Sequence, residues 1–197
     1  MNTPTTTMTT ELDDGGVFHP LAAVLGWLVP GAGHAYVGER RRGVLIAVGV
    51  LGMFVSGLLI GGIDVVDKRE DFVWFIGQSL VGPVAFGTDY VHQHHIKVRD
   101  ARSGMLRSAH PYEIRHPNTG EAVIVRDPAT GASRSFVDPR TGQVRQATAS
   151  DRPPNTKSLG RVNELGTLFC TLAGMLNLIA IIDASTRRGR RSAGGGL

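Results

Sequence analysis

Any chemistry in this sequence would have to start from His92-Gln93-His94-His95 and from Asp89, three residues before the first histidine. On a helix Asp89, His92 and His95 share a face at i, i+3 and i+6. A carboxylate with imidazoles, His94 adding a third ring, is a ligand set for zinc or another transition metal. The competing reading is a polar helix end, where histidine is at home. No His-Glu-x-x-His pattern supplies a general base nearby, so no catalytic residue is assigned and no cofactor is expected. His34 and Tyr36 form a second candidate, because an ionisable group at the edge of an apolar run often marks a pathway or pocket. A helix cap and an interfacial aromatic would explain the pair equally well. Asn177 and Asp183 stand in the last apolar run. Asn177 is expected to hydrogen-bond across a helix contact, and Asp183 to reach water or pair with Arg187 or Arg188. Cys170 is the sole cysteine, so neither an intrachain disulfide nor a cysteine metal site is available.

Four apolar stretches have to position these groups. The dominant one is Gly43 to Ile63, GVLIAVGVLGMFVSGLLIGGI, with no ionisable residue and a single side-chain hydroxyl at Ser56. At the helical rise it extends roughly 31 Å, the thickness of a bilayer's hydrocarbon core. A soluble helix of that length would carry a polar face, so a membrane-spanning helix is expected. Pro20 to Val37 is interrupted by Pro30-Gly31, and a kinked full crossing is favoured over a half-helix that turns back. Phe72 to Thr88 has 17 residues, with Trp74 near its start and Gly82-Pro83 inside, which predicts another kinked crossing at the bottom of the spanning range. Leu165 to Ala184 completes the set. The expected fold is mainly α and integral to the membrane, with about four transmembrane helices and a small β-meander between the third and fourth. The division is a disordered tail at 1–16, a membrane domain at 17–88 (apolar at 20–37, 43–63 and 72–88), a polar insert at 89–163, a last helix at 164–186 and a basic Gly-rich tail at 187–197. Small residues at Gly57, Gly61, Gly166, Cys170 and Gly174, with Asn177, are spaced for close helix contact within the chain or between copies.

The run Pro30-Gly31-Ala32-Gly33-His34-Ala35-Tyr36-Val37-Gly38, followed by Arg42-Gly43, resembles the signature of the two-transmembrane-helix domain family. The resemblance covers residues 20–63 and implies a helical hairpin with a charged turn. The chain as a whole resembles a bacterial multi-pass membrane family of unknown function, with a closing feature from Leu165-Gly166-Thr167 through Asn177 to Asp183-Ala184. Neither resemblance implies a reaction.

Within the insert a turn recurs: His116-Pro117-Asn118-Thr119-Gly120, Asp127-Pro128-Ala129-Thr130-Gly131 and Asp138-Pro139-Arg140-Thr141-Gly142. Proline sets φ at the start of a turn, aspartate bonds its backbone, and glycine takes the left-handed position that closes it. Short runs such as Glu121 to Arg126 lie between these turns, so up to four strands in a meander over 112–147 are expected. The turns resemble those of tyrosine-aspartate repeat proteins. Asp89 to Arg107 is expected to prolong the preceding helix for a few turns.

The net charge is +4. Arg40, Arg41, Arg42, Arg187, Arg188, Arg190 and Arg191 flank apolar spans, where arginine contacts anionic headgroups on the cytoplasmic side. No aromatic-basic motif points to nucleic acid. With four crossings, a cytoplasmic 40–42 turn puts the insert inside and the basic tail outside. The insert carries 12 Lys/Arg against 7 Asp/Glu, and on that ground four crossings are favoured over a re-entrant 72–88. The expected partners are the lipid bilayer, a protein docking on residues 89–163, and further copies of the chain. The expected place is a bacterial inner membrane. A non-enzymatic structural, assembly or interaction component fits best, ahead of a small transporter or channel component and then a metal-dependent membrane enzyme.

Overall fold

The computed structural model describes residues 18–154 and 160–186. The tail at 1–16 and the arginines at 187, 188, 190 and 191 lie outside the described residues. The described chain is mainly helical: α1 (Pro20–Leu28), α2 (Ala32–Tyr36), α3 (Arg40–Gly61), α4 (Phe72–Ser79), α5 (Pro83–Val91) and α6 (Gly160–Thr186). Among them α3 and α6 are long and apolar enough to cross a membrane.

The two long helices are antiparallel, with Gly61 beside Gly166 and Arg42 beside Asp183. Small side chains let their backbones approach: a methyl group on Gly57 would overlap the Cys170 sulfur and the Gly166 carbonyl. Cys170 donates its thiol hydrogen to the Phe54 carbonyl at 3.4 Å. Val50, Phe54, Val65, Val66, Phe75, Val81, Ala85, Cys170 and Ala173 form the main core around this crossing.

The segments 20–37 and 72–88 do not form the two kinked crossings expected of them. Each is two short helices that double back. α1 starts beside the C-terminal end of α6, where the His19 N–H donates to the Ser185 carbonyl at 2.7 Å. α2 returns to that same end, with His34 2.9 Å from Asp183. α4 leaves from beside the first turns of α6, and α5 returns to the loop from which α4 departed: Asp89 accepts the Lys68 N–H at 2.9 Å. Phe86 on α5 packs edge-on to Phe75 on α4, with ring centroids 5.4 Å apart. The reversals occur at Gly31 (φ 82°) and Gly82 (φ 99°). Glycine adopts that half of backbone space freely, and the neighbouring prolines lack the N–H that would carry the helix on.

After α5 the chain does not continue as a helix toward Arg107. A π-helical turn, His92–Ile96, leads into β1 (Val98–Arg99). β1 pairs with β2 (Leu106–Arg107), β3 (Glu113–Arg115) with β4 (Ala122–Ile124), and β5 (Ser135–Val137) with β6 (Val144–Gln146), all antiparallel. The expected meander over 112–147 is thus two hairpins, joined by an Arg126–Ser133 bridge and preceded by a third hairpin. Val125, Phe136 and Ala147, with Ile114 and Val123 against them, are its small core. The three Pro-containing loops have the expected construction. Asp127 Oδ1 accepts the N–H of Ala129 and of Thr130, and Gly131 closes the loop at φ 70°. Asp100 builds the same loop over Arg102 and Ser103, closed by Gly104 at φ 68°. It lacks the proline that makes the other three recognisable in sequence.

Candidate functional site

The largest concentration of buried polar groups lies where α3 ends and α5 runs out. Gly62, at φ 85°, stops α3, and a 3₁₀ turn, Ile63–Val65, buries Val65 and Val66 in the core. Asp67 is thereby drawn inside. The π-helical turn after α5 directs His92 and Gln93 inward and leaves His94 and His95 exposed. Lys97 is completely buried; its ammonium pairs with Asp67 and donates to Glu70 at 2.9 Å. Gln93 Nε2 donates to Asp67 Oδ1 at 2.8 Å, and the backbone N–H of Arg69 adds a bond of 2.8 Å to the same oxygen. Burial pushes the Asp67 carboxyl up, but the Lys97 ammonium and these backbone donors outweigh it and hold the group below the usual carboxylate range. Burial pushes His92 down, and the Asp67 carboxylate 3.9 Å away recovers only part of that shift. His92 Nδ1 and Gln93 Oε1 are buried without a hydrogen-bond partner among the described residues.

The four residues considered as metal ligands are separated by this arrangement. His92 faces Asp67. His94 stacks on Tyr90, centroids 4.1 Å apart, with its Nδ1 2.9 Å from the Tyr90 carbonyl oxygen. Asp89 accepts from Lys68 and, at 3.3 Å, from Gln93. His95 is exposed. Among the described residues no three His, Cys, Asp or Glu side chains are grouped to hold a metal ion.

At the opposite end of the helices His34 is almost fully buried, and its Nε2 lies 2.9 Å from Asp183 Oδ2. Arg42 reaches the same oxygen at 2.9 Å. Asp183 therefore meets Arg42 and His34, while Arg187 and Arg188 fall outside the described residues. The hairpin motif makes this possible. Gly31 and Gly43 pack backbone to backbone, and Gly33 lies against the Ala22 carbonyl and Ala184. Pro30 is buried in the reversal, Gly38 ends the motif at φ 94°, and Tyr36, Arg40 and Arg41 are exposed.

The two reversals meet between these ends. Pro30 cannot donate to the Gly26 carbonyl four residues earlier, and Asn177 Nδ2 does so instead at 3.1 Å. The same nitrogen donates to the Leu80 carbonyl at 2.9 Å. Pro83 likewise cannot donate to the Ser79 carbonyl, which accepts the Gly82 N–H at 3.0 Å and Trp27 Nε1–H at 3.2 Å. Gly82 packs so closely on the Trp27 carbonyl that a methyl group there would overlap the oxygen.

Residues 21–193 match one family model, so the match takes in both doubled-back segments, both long helices and the insert. The chain belongs to the DUF6677 family, a family of unknown function. No curated protein and no solved structure matches it.

In this DUF6677 member the strand module is fastened to the buried cluster. Arg115 donates to the carbonyls of His94 at 2.7 Å and Lys97 at 3.1 Å, and the Arg99 N–H donates to the Gly120 carbonyl at 2.7 Å. Sequence reasoning did not single out Asp67, Gln93, Lys97 or Arg115. Nothing in the sequence brings Asp67 to a lysine thirty positions later. The available hint was an acidic loop, DVVDKRED, whose Val65-Val66 pair would have to be buried somewhere. The cluster is salt-bridged and largely closed, and the four clefts on the strand module, beside α4 and α6, at the Arg40–Arg42 turn and between α3 and α6 are lined by other residues.

Proposed function

We propose that this chain is an integral membrane protein that crosses the bilayer twice, through α3 and α6, and dips into it twice more from opposite faces, through α1–α2 and α4–α5. Its role is a non-enzymatic anchor that holds the strand module 98–154 at the surface for a partner protein. The observation that carries the membrane reading is outward-facing apolar surface. Only 22% of the most apolar window of α3 and 39% of that of α6 are buried, and Leu45, Val48, Leu59, Val73 and Ile179 are each more than 60% exposed. A soluble core helix would be mostly covered. Non-helical backbone at membrane depth is tolerated where protein surrounds it, and Asn177, Trp27 and Gly82 supply those surroundings.

The docking role is supported by the rigid attachment of the module through Arg115 and Arg99, and by the absence of a described catalytic grouping beside a cleft. Crosslinking in native membranes is expected to capture a partner through residues 98–154. A chain lacking that segment, still membrane-integrated but with an unchanged set of associations, would overturn the reading. The broken helices also suit a transporter or channel component. Against it stands the filling of the meeting point of the two reversals, and solute flux through reconstituted vesicles would reverse the preference.

A further inference from the structure

A cleft of about 370 Å³ opens on the strand module, lined by Arg115, Arg140, Arg145 and Arg152 together with Asp138 and Asp151. The two carboxylates are both taken by one arginine. Arg145 Nε donates to Asp138 at 2.6 Å, and its two terminal nitrogens grip Asp151 at 2.7 and 2.6 Å. The same guanidinium lies 4.7 Å over the Phe136 ring, so this wall is fixed. Among the described residues the other three arginines have no carboxylate partner. Arg115 is held by two carbonyl oxygens, and Arg152 donates its Nε to the Ala149 carbonyl at 3.0 Å. Carbonyl oxygens fix a guanidinium in place without cancelling its charge. The cleft therefore carries two more positive than negative charges on a partly preset frame. Gly120 adds to the preset, since a methyl group there would come within 3.0 Å of Arg115 Nη2.

We propose that this cleft is a binding site for a phosphate group. Arg115, Arg140 and Arg152 line it from three segments, and arginine favours multidentate oxyanions: a carboxylate has only two oxygens to offer and a phosphate has at least one more. The volume is at the small end of ligand pockets, enough for a phosphorylated small molecule or a phospholipid headgroup. Arg115 joins the cleft to the turn that leaves α5, so the site sits close to the helical bundle and a headgroup is within the same geometry as a soluble ligand. The inference stands whether or not the module also docks a protein, because it can be tested on the full chain alone.

The experiment is titration of the full-length protein in a non-ionic detergent with inorganic phosphate and with glycerol phosphate. A parallel arm measures binding to phosphatidylcholine vesicles with and without phosphatidylglycerol. The R140Q/R152Q variant is compared with R102Q/R134Q, which removes the same charge from exposed positions outside the cleft. Saturable binding weakened roughly tenfold or more in R140Q/R152Q, but not in R102Q/R134Q, supports the site, since a charged hydrogen bond is lost at each position. Binding of the soluble anions identifies a free phosphate compound; the same pattern with phosphatidylglycerol vesicles alone identifies a headgroup. Equal weakening in both variants would reduce the effect to net charge and overturn the proposal. No binding in either arm, with the far-ultraviolet dichroism of all proteins alike, would overturn it too.

Discussion

A proline cannot supply the hydrogen bond that a helix would send to the carbonyl four residues before it, and in this chain that bond is missing at Pro30 and again at Pro83. The Gly26 carbonyl takes Asn177 instead, and the Ser79 carbonyl takes the Gly82 N–H together with Trp27 from another segment. Replacing Asn177 by leucine keeps the branched outline but strips the Gly26 and Leu80 carbonyls of their partner, at about 1–3 kcal/mol. Thermal unfolding in detergent is expected to fall accordingly, and an unchanged midpoint would show that the carbonyls find other donors. Lys97 is the second critical side chain. Its replacement by methionine leaves the Asp67 carboxylate buried without its cation, a loss on the order of 3–5 kcal/mol for a broken buried pair. The D67L/K97M pair is expected to recover much of that loss, since it removes both charges together. His92 adds a pH dependence of known sign. Its folded-state pKa lies below the ordinary 6.5, so the unfolded chain takes up the proton first. The stability it contributes is full above about pH 6.5 and declines as the pH falls below it.

For the helices and strands, some features were written in the sequence and some were not. Pro30-Gly31 and Gly82-Pro83 announced breaks, and α3 announced its length. Which way the chain goes after a break is decided by what receives it, and the receivers are distant: Asn177 stands 151 residues from Gly26. A kinked crossing and a doubled-back hairpin therefore look alike locally. The strand module was legible through its Asp-Pro-x-Thr-Gly loops, while the Asp100 loop, built the same way without proline, passed unseen. Ideal helical spacing would put Asp89, His92 and His95 on one face, whereas the π-helical turn there buries His92 and leaves His94 and His95 exposed. The module joins its few apolar residues with ion pairs around Arg107 and Arg145. Hydrogen bonds from Ser103 and Arg102 lower Asp100 from 3.8 to about 2, and Arg145 holds Asp138 and Asp151 below their usual range. Groups with depressed folded-state values stabilise above their unfolded pKa and lose that contribution as pH falls through the folded one. The module is thus expected to loosen between about pH 4 and 2, read as loss of amide protection in residues 98–154 while α3 and α6 stay protected.

Taken whole, the proposed two-crossing topology settles a conflict among the charges. With both doubled-back segments returning to the side they came from, Arg40, Arg41, Arg42 and the basic C-terminal sequence fall on one face and the insert on the other. The basic excess of the insert weighs little, because loops longer than about 60 residues cross largely regardless of charge. Reporters fused after residues 68 and 120 are expected to score on the outer face and one after residue 197 on the cytoplasmic face. A reporter after 120 that scored with the one after 197 would end the topology.

α6, which bonds both hairpin tips through Asn177 and pairs with α3, is translated after all of them. Until the ribosome has released Asn177, both hairpin tips carry bare carbonyls, and α3 has no antiparallel mate. The earlier parts must therefore wait, loosely held, through the synthesis of the whole strand module. On the two-crossing reading, a message truncated anywhere before codon 160 is expected to yield a chain that cannot finish folding, a natural substrate for quality-control proteases.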